Sequence, residues 1–293
     1  PACNNDDDGD AADVAAQLAA AQAAQAAAET AQAAAEAALA EINTASETTT
    51  TAASNPSALT ANVDTVTPAA TSDVLSSGIV GTIQALQSLD TIDMGDGADQ
   101  ITAIITTAVT PQLANVETIN YSSTGAVNVD MSASTGYTSI NNTGSSAILQ
   151  VSNIDAGTAL SLTNNTAGAR FDMKAASFTG AADSVTISLS NVTAGTTTMS
   201  AGTETLTINS TGGTTNTFNT ATIAPTTVNI TGDTALTYAE GLTATTTVDA
   251  SAFTATLTST WDPAAAYSYT GGSGTDTLTL TGTTAVVETV DLG

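Results

Sequence analysis

The feature that most constrains the fold is a series of short segments in which apolar and polar residues alternate. They begin at about Val63 and continue to the end of the chain, and each is bounded by Gly, Asn, Ser or Asp. In Ala169–Lys174, for example, every second residue is apolar and the residues between are charged. Successive side chains of a strand point to opposite faces, so a strand separates these two sets cleanly. The sequence therefore predicts a mainly β fold.

Repetition and composition bear on how the strands are arranged. A strand begins about every ten to twelve residues, which suits both a β-sandwich and a β-solenoid. Aromatic residues make up 3% of the chain, too few to fill a wide core. A Glu-Thr-apolar phrase recurs at Glu117, Glu204 and Glu288. The pairs Asn141-Asn142 and Asn164-Asn165 are separated by about one two-strand coil, the spacing expected if Asn side chains of successive coils stack in a ladder. We predict a β-solenoid, with β-sandwich repeats as the alternative.

The first 45 residues have a different composition. An acidic cluster at 4–10 precedes a stretch, 11–42, that is nearly all Ala with Gln and Glu. Ala has the highest helix propensity and carboxylates stabilise a helix N-terminus, so we predict a long Ala-rich α-helix. Its Ala face suits close packing, and its Gln and Glu stripe equally suits a solvated spacer. The predicted domains are a helix with its acidic cluster (1–45), a Thr/Ser-rich linker (46–62) and the solenoid (63–293).

The charge balance restricts the partners. The chain has 28 acidic residues against two basic ones, Arg170 and Lys174, and a formal net charge of -26. It offers almost nothing to neutralise phosphate, so neither nucleic acid nor an anionic membrane surface is an expected partner. Divalent cations that prefer oxygen ligands are the natural counter-ions, and calcium is the expected cofactor.

The residues that most enzymes use are missing. There is no His, and Cys3 is the single Cys. This excludes Ser-His-Asp and Cys-His nucleophiles, zinc bound by His and a disulfide within the chain. A glycosidase with two carboxylates would need aromatic sugar platforms that the chain barely has. We therefore predict that the chain is not an enzyme.

Two segments match a calcium-binding nonapeptide, in which glycines allow tight turns and an Asp supplies charge. One spans 271–279, and the other is a near match at 95–101 with further acids just upstream. Carboxylates at a spacing of three would repel one another without a cation. The alternative is a Gly-rich turn that enters a strand. The candidate metal-site residues are Asp90, Asp93, Gly95, Asp96, Gly97, Asp99, Gly272, Gly274 and Asp276.

The beginning of the chain, Pro1-Ala2-Cys3-Asn4, resembles the end of a bacterial lipobox, in which the Cys becomes lipidated. Cys3 is therefore a candidate lipidation site and the only expected route to a membrane. Because Pro1 and Ala2 precede it, an unmodified or intermolecularly paired Cys3 is the alternative.

Three phrases together resemble the S-layer and RTX-type calcium-dependent surface proteins of Gram-negative bacteria. They are Ala61–Val66, Leu86–Asp99 and Asn115–Asn120, which match a Thr-rich "VDT" segment, an "LDxIDxGxGxD" turn and a "VETI" strand. The resemblance covers the chain from about residue 60 onward. It implies secretion, calcium-dependent folding outside the cell, a β-solenoid and lattice formation.

The expected function is that of a structural, self-assembling cell-surface protein, the subunit of an S-layer or an extracellular filament stabilised by calcium. Its main partner would be itself, with outer-membrane surface glycans as further partners. The alternative is a lipid-anchored surface adhesin or binding module on a helical stalk. Either one places the chain outside the cell, at the cell surface.

Overall fold

The structure is a computed structural model. It describes residues 18, 22, 25, 50–51, 58–67, 70–193, 195–199, 202–221, 223, 225–240, 244–262, 266–281 and 287–293. The chain divides into two units, Pro1–Thr49 and Thr50–Gly293. The strands all belong to the second unit.

The largest element is an eleven-stranded parallel sheet. In spatial order its strands are β3 (Val74–Ser77), β7 (Gln100–Ile105), β9 (Thr118–Ser123), β11 (Ser139–Thr143), β13 (Ala159–Thr163), β15 (Ser184–Ser190), β17 (Thr205–Thr211), β19 (Thr227–Gly232), β21 (Thr247–Asp249), β23 (Tyr267–Thr270) and β25 (Val287–Asp291).

An eight-stranded parallel sheet forms a second wall. It contains β10 (Val127–Asp130), β12 (Leu149–Ile154), β14 (Ala169–Met173), β16 (Thr196–Met199), β18 (Asn216–Ala221), β20 (Leu236–Glu240), β22 (Leu257–Trp261) and β24 (Thr277–Leu280). A four-stranded parallel sheet contains β1 (Thr50–Thr51), β2 (Asp64–Val66), β6 (Thr91–Asp93) and β8 (Gln112–Ala114), and β4 (Ile79–Val80) pairs antiparallel with β5 (Ile83–Gln84).

Successive coils stack in register. Thr118 lies beside Ser139, and Ser139 beside Ala159, so one coil takes about 20 residues and contributes a strand to each large sheet. Every pairing within the three larger sheets is parallel, whereas a sandwich is built from antiparallel strands. The predicted β-solenoid is confirmed, with about nine turns.

The helical part of the fold prediction is wrong. The described residues contain no α-helical element, and their only helical elements are two 3₁₀ turns, Met131–Ala133 and Ala175–Ser177. Within 11–42 only residues 18, 22 and 25 are described, each with helical backbone, and the rest of the predicted helix lies outside the described residues. Leu18 is 59% exposed. High Ala propensity is not enough for a stable helix, because most helical stability in proteins comes from burying an apolar face.

The core lies between the walls and changes in character along the axis. In most coils it consists of branched aliphatic side chains such as Ile119, Leu162 and Ile208. Towards the C-terminal end five rings line up, with centroid separations of 5.9, 5.1, 6.4 and 6.4 Å. This aromatic stack consists of Phe218, Tyr238, Trp261, Tyr267 and Tyr269, all at most 1% exposed.

Among the residues that the structure describes, no helix has the length and apolar character needed to cross a membrane.

Candidate functional site

Acidic residues line the corner where the chain enters the eleven-stranded sheet. Asp73, Asp99 and Glu117 each precede a strand of this sheet, and the register places them on neighbouring coils. Oδ1 of Asp99 accepts the backbone N–H of Asp73 at 2.7 Å. Oε2 of Glu117 accepts the backbone N–H of Asp99 at 2.7 Å. The carboxylates of Asp99 and Glu117 therefore each cap the coil before their own, and we call them, together with the equivalent Glu204 described next, the strand-entry caps.

The same geometry recurs further along the rod. Oε2 of Glu204 accepts the backbone N–H of Asp183 at 2.8 Å. The next coil then binds the carbonyl of the Glu: Thr226 donates its backbone N–H to Glu204 at 2.9 Å, and Thr138 does the same to Glu117 at 3.0 Å. The recurring Glu-Thr-apolar phrase is thus explained at these two positions as a cap that joins three coils. Bonds to an ionised acceptor are among the strongest that a backbone N–H makes.

Asp90 caps the entry to the four-stranded sheet. It is fully buried, and its two oxygens accept the backbone N–H groups of Asp64 at 2.9 Å and of Gln87 at 2.7 Å. Burial outweighs these two bonds and raises the pKa of Asp90 to about 6, with a further contribution from the nearby charge of Asp64. Both oxygens are used by the polypeptide itself.

Asp99 has one oxygen to spare. Its side chain is 1% exposed, and Oδ2 has no hydrogen-bond partner among the residues that the structure describes. Burial, together with the charges of Glu117 and Asp73, raises the pKa of Asp99, against the lowering effect of the bond from Asp73.

The remaining candidate residues near these acids form a turn. Oδ1 of Asp93 accepts the backbone N–H of Gly95 at 3.2 Å and Nδ2 of Asn115 at 2.8 Å, whereas Asp96 is exposed. Gly95 has a φ of 85° and Gly97 one of 152°. A Cβ at Gly97 would lie 2.7 Å from the carbonyl oxygen of Thr71, so glycine is required there for the close approach of two coils.

The C-terminal candidate residues also hold coils together. Asp276 accepts the backbone N–H of Leu257, on the preceding coil, at 3.0 Å and that of Gly272 at 2.8 Å. A Cβ at Gly272 or Gly274 would collide with the backbone carbonyl of Phe253 or Ala255, respectively. The two glycines therefore allow the backbones of successive coils to touch.

The acidic side chains among these candidate residues are not clustered in the described part of the chain. Calcium takes six to eight oxygen ligands around one point, and among the described residues no three acidic side chains converge on such a point. The acids at spacing three in the sequence face different corners: Asp90 and Asp99 each bond to a residue 26 positions earlier. Calcium binding stays a prediction, and nothing in the arrangement of these side chains requires it.

Polar ladders run along the coils, but with different partners from those predicted. Asn141 donates from Nδ2 to Asn120 at 2.8 Å and accepts from Ser161 at 2.7 Å. Asn191 donates to Asn164 at 3.2 Å, and both have φ of 55°, a left-handed conformation that Asn tolerates. The expected stacking of Asn141-Asn142 on Asn164-Asn165 is wrong, because the register pairs the former with residues 161–162.

The pockets carry little chemistry. Three shallow pockets of about 300 Å³ lie beside β4 and β5, on β9 and at β10. Not one of their lining residues is an Asp or a Glu. In the described part of the chain, catalytic carboxylate pairs are therefore missing from these pockets.

Cys3, the candidate lipidation site, lies outside the described residues. Comparisons with protein-family models, with curated proteins and with solved structures found no match.

Proposed function

We propose that this chain is a structural subunit that assembles with copies of itself into an extracellular array at a cell surface, either a sheet such as an S-layer or a filament. The observation that supports the proposal is what the carboxylates of the candidate site bind. The strand-entry caps, Asp90 and Asp276 all accept backbone N–H groups and so hold successive coils together. These carboxylates therefore stabilise the fold by accepting hydrogen bonds from the backbone. The resemblance to S-layer and RTX-type proteins points the same way.

A rod of this kind suits assembly better than catalysis. Its coils repeat a surface at a constant spacing, which offers many equivalent contacts to a neighbour. The pockets hold no convergent acids, and the chain has no His. The proposal therefore includes that the chain is not an enzyme.

Cations enter the proposal as counter-ions between acidic copies. A net charge of -26 makes two copies repel unless it is screened. Because the buried acids are already bonded to the backbone, the screening cations belong to exposed carboxylates such as Asp96. Calcium and magnesium should then act alike, whereas a dedicated calcium site would discriminate against the smaller ion.

The test is assembly of the purified full-length chain, followed by sedimentation and negative-stain electron microscopy. We expect ordered material in calcium and in magnesium at the same ionic strength, and dispersal when a chelator is added at low ionic strength. Assembly in calcium alone would contradict the counter-ion role. A chain that stays monomeric at every concentration and in every salt would contradict the proposed function itself.

A further inference from the structure

One face of the rod has an unusual composition. Along the eleven-stranded sheet from β7 to β19, every second residue points outward and the residues between are buried, except for Gly232 at the end of β19. With the exceptions of Ile104 and Ala159, all the outward residues are Ser, Thr, Asn or Gln. We call this surface the hydroxyl–amide face. Every residue of these seven strands is described, and the face contains no charged side chain.

The opposite wall carries charge on two of its strands. The outward positions of the eight-stranded sheet include Asp130 on β10 and Arg170 and Asp172 on β14, and Lys174 follows directly after β14. From β16 to β24 the described outward residues of this wall are uncharged, so its uncharged part is five strands wide against seven on the hydroxyl–amide face. Arg170 pairs with Asp172 at 2.8 Å, and Lys174 with Asp155 at 3.4 Å. The chain has 28 acidic residues, yet none of them lies among the outward residues of these seven strands. The acidic residues are therefore placed on other parts of the molecule.

Side chains of the face are held in place by their neighbours. Asn141 bonds to Asn120 and Ser161, and Thr231 donates to Asn209 at 3.3 Å. The strand pairings from β7 to β19 run without the register shifts seen between β12 and β14 and between β23 and β25. Because the groups are already ordered, docking a partner costs less side-chain entropy than it would on a mobile surface.

The chemistry of the face selects a second copy of this chain as its partner. Two copies that meet through the outward residues of these seven strands bring none of their carboxylates together, whereas a contact through exposed acids such as Asp96 must overcome repulsion. A second copy also has the same strand repeat, so its side chains can interdigitate along the whole length, as they do between paired sheets. A glycan is less suited, because all ten aromatic side chains of the chain, four Phe, one Trp and five Tyr, are buried or partly buried and leave no exposed platform.

The area of the face is sufficient. Seven strands about 4.8 Å apart, each about six residues long at about 3.3 Å per residue, cover roughly 34 by 20 Å, or about 680 Å². Two such faces bury about 1,350 Å² in total, within the range of about 1,200–2,000 Å² that is typical of specific protein interfaces.

We propose that the hydroxyl–amide face is the lateral contact between copies in the array. This rests on the proposed function, and it adds which wall of the rod makes the contact. Thr207 lies inside the face on β17, one strand in from its β19 edge, between Thr186 and Asn229 on the adjacent strands. Thr258 is the matched position on the eight-stranded wall, between Thr237 and Thr277.

The test compares Thr207→Glu with Thr258→Glu, which add the same charge to different walls. Like charges placed together across an interface are strongly unfavourable, so we expect Thr207→Glu to raise the concentration needed for assembly by roughly tenfold or more. Thr258→Glu should change it by less than about twofold. Circular dichroism and thermal unfolding check that both variants fold, and Thr207→Ser should assemble like the wild type.

A second measurement covers the case in which a new Glu perturbs the fold. In a Cys3→Ser background, Thr207→Cys should react with a maleimide at least about fivefold more slowly in assembled than in dispersed protein, while Thr258→Cys reacts equally in both. If the wild type assembles but Thr207→Glu assembles equally well, or the thiol of the Thr207→Cys variant stays reactive in the array, the lateral contact lies elsewhere and the proposed function stands. If the wild type does not assemble, both proposals fail.

Discussion

The two ends of the rod are stabilised by different chemistry within the same coil geometry. Up to Glu117 the coils are joined by buried carboxylates that cap backbone N–H groups, among them Asp90 and Asp99. From Phe218 to Tyr269 the aromatic stack fills the core, and one carboxylate, that of Asp276, adds a cap on the backbone N–H of Leu257. A narrow solenoid can thus close its coils with charge-assisted hydrogen bonds or with large apolar side chains. The two ends should therefore respond differently to truncation and to pH.

The largest effect is expected from breaking the aromatic end. Trp261 is 1% exposed and lies 5.1 Å from the ring of Tyr238. We expect Trp261→Ala to lower the free energy of unfolding by about 3–5 kcal/mol, because it leaves a cavity that the neighbouring coils cannot fill. Denaturant titration measures this.

The control for this prediction is on the same strand. Thr258→Ala removes an exposed side chain of β22 and should change the stability by less than about 0.5 kcal/mol. Equal effects of the two substitutions would show that the aromatic stack does not hold these coils.

A smaller loss is expected from breaking a strand-entry cap at the acidic end. Glu117→Ala leaves the backbone N–H of Asp99 without its acceptor, at a cost of about 1.5–3 kcal/mol. Hydrogen exchange should show faster exchange of the Asp99 amide, while the coils of the aromatic stack keep their protection.

Glu117→Gln separates the two parts of that effect. The amide oxygen still accepts the N–H but carries no charge, so the loss should be smaller than with Ala. If Gln and Ala destabilise equally, the charge rather than the hydrogen bond is what the coil requires.

The smallest effect is a difference in pH response between the ends. Asp90 has a folded pKa of about 6 against an ordinary value of 3.8, so the folded state binds this proton more tightly than the unfolded chain does. Its contribution to stability is fully present below about pH 4 and is lost as the pH rises through about 6. We expect the acidic coils to open more easily at pH 7 than at pH 4.5, by about 1–2 kcal/mol.

Hydrogen exchange at both pH values, corrected for intrinsic exchange rates, measures this difference. Asp90→Asn removes the titration of Asp90 and should reduce the pH response to the part that comes from the raised pKa of Asp99, although it lowers the overall stability because an amide oxygen replaces only one of two acceptors. An unchanged pH response of the acidic coils in Asp90→Asn would assign all of it to another group.

Strand alternation was enough to predict the β-strands, and the recurring Glu-Thr-apolar phrase and the low aromatic content favoured the solenoid over the sandwich. In Ala169–Lys174 the alternation separates the inward and outward residues as the structure does, with Ala169, Phe171 and Met173 buried. The prediction of a long α-helical element was wrong for the described residues, which contain none; composition indicates a propensity, whereas most helical stability comes from burying an apolar face.

The spacing of acidic residues in the sequence does not reveal which of them are neighbours in a solenoid. Asp90, Asp93, Asp96 and Asp99 are close in sequence, but the chain turns corners between them, and the neighbours of Asp90 and Asp99 are Asp64 and Asp73 on the previous coil. The cap formed by Glu117 was visible only as a recurring phrase. Its partner depends on the register, which follows from the length of each coil.

The uncharged wall is where we expect copies of this rod to associate, and cryo-electron microscopy of the assembled full-length chain examines that contact without any substitution. We expect rods that lie side by side with the outward residues of β7 to β19 in contact. An ordered array in which this wall faces solvent, or a field of separate monomers at every concentration, would refute association through this face.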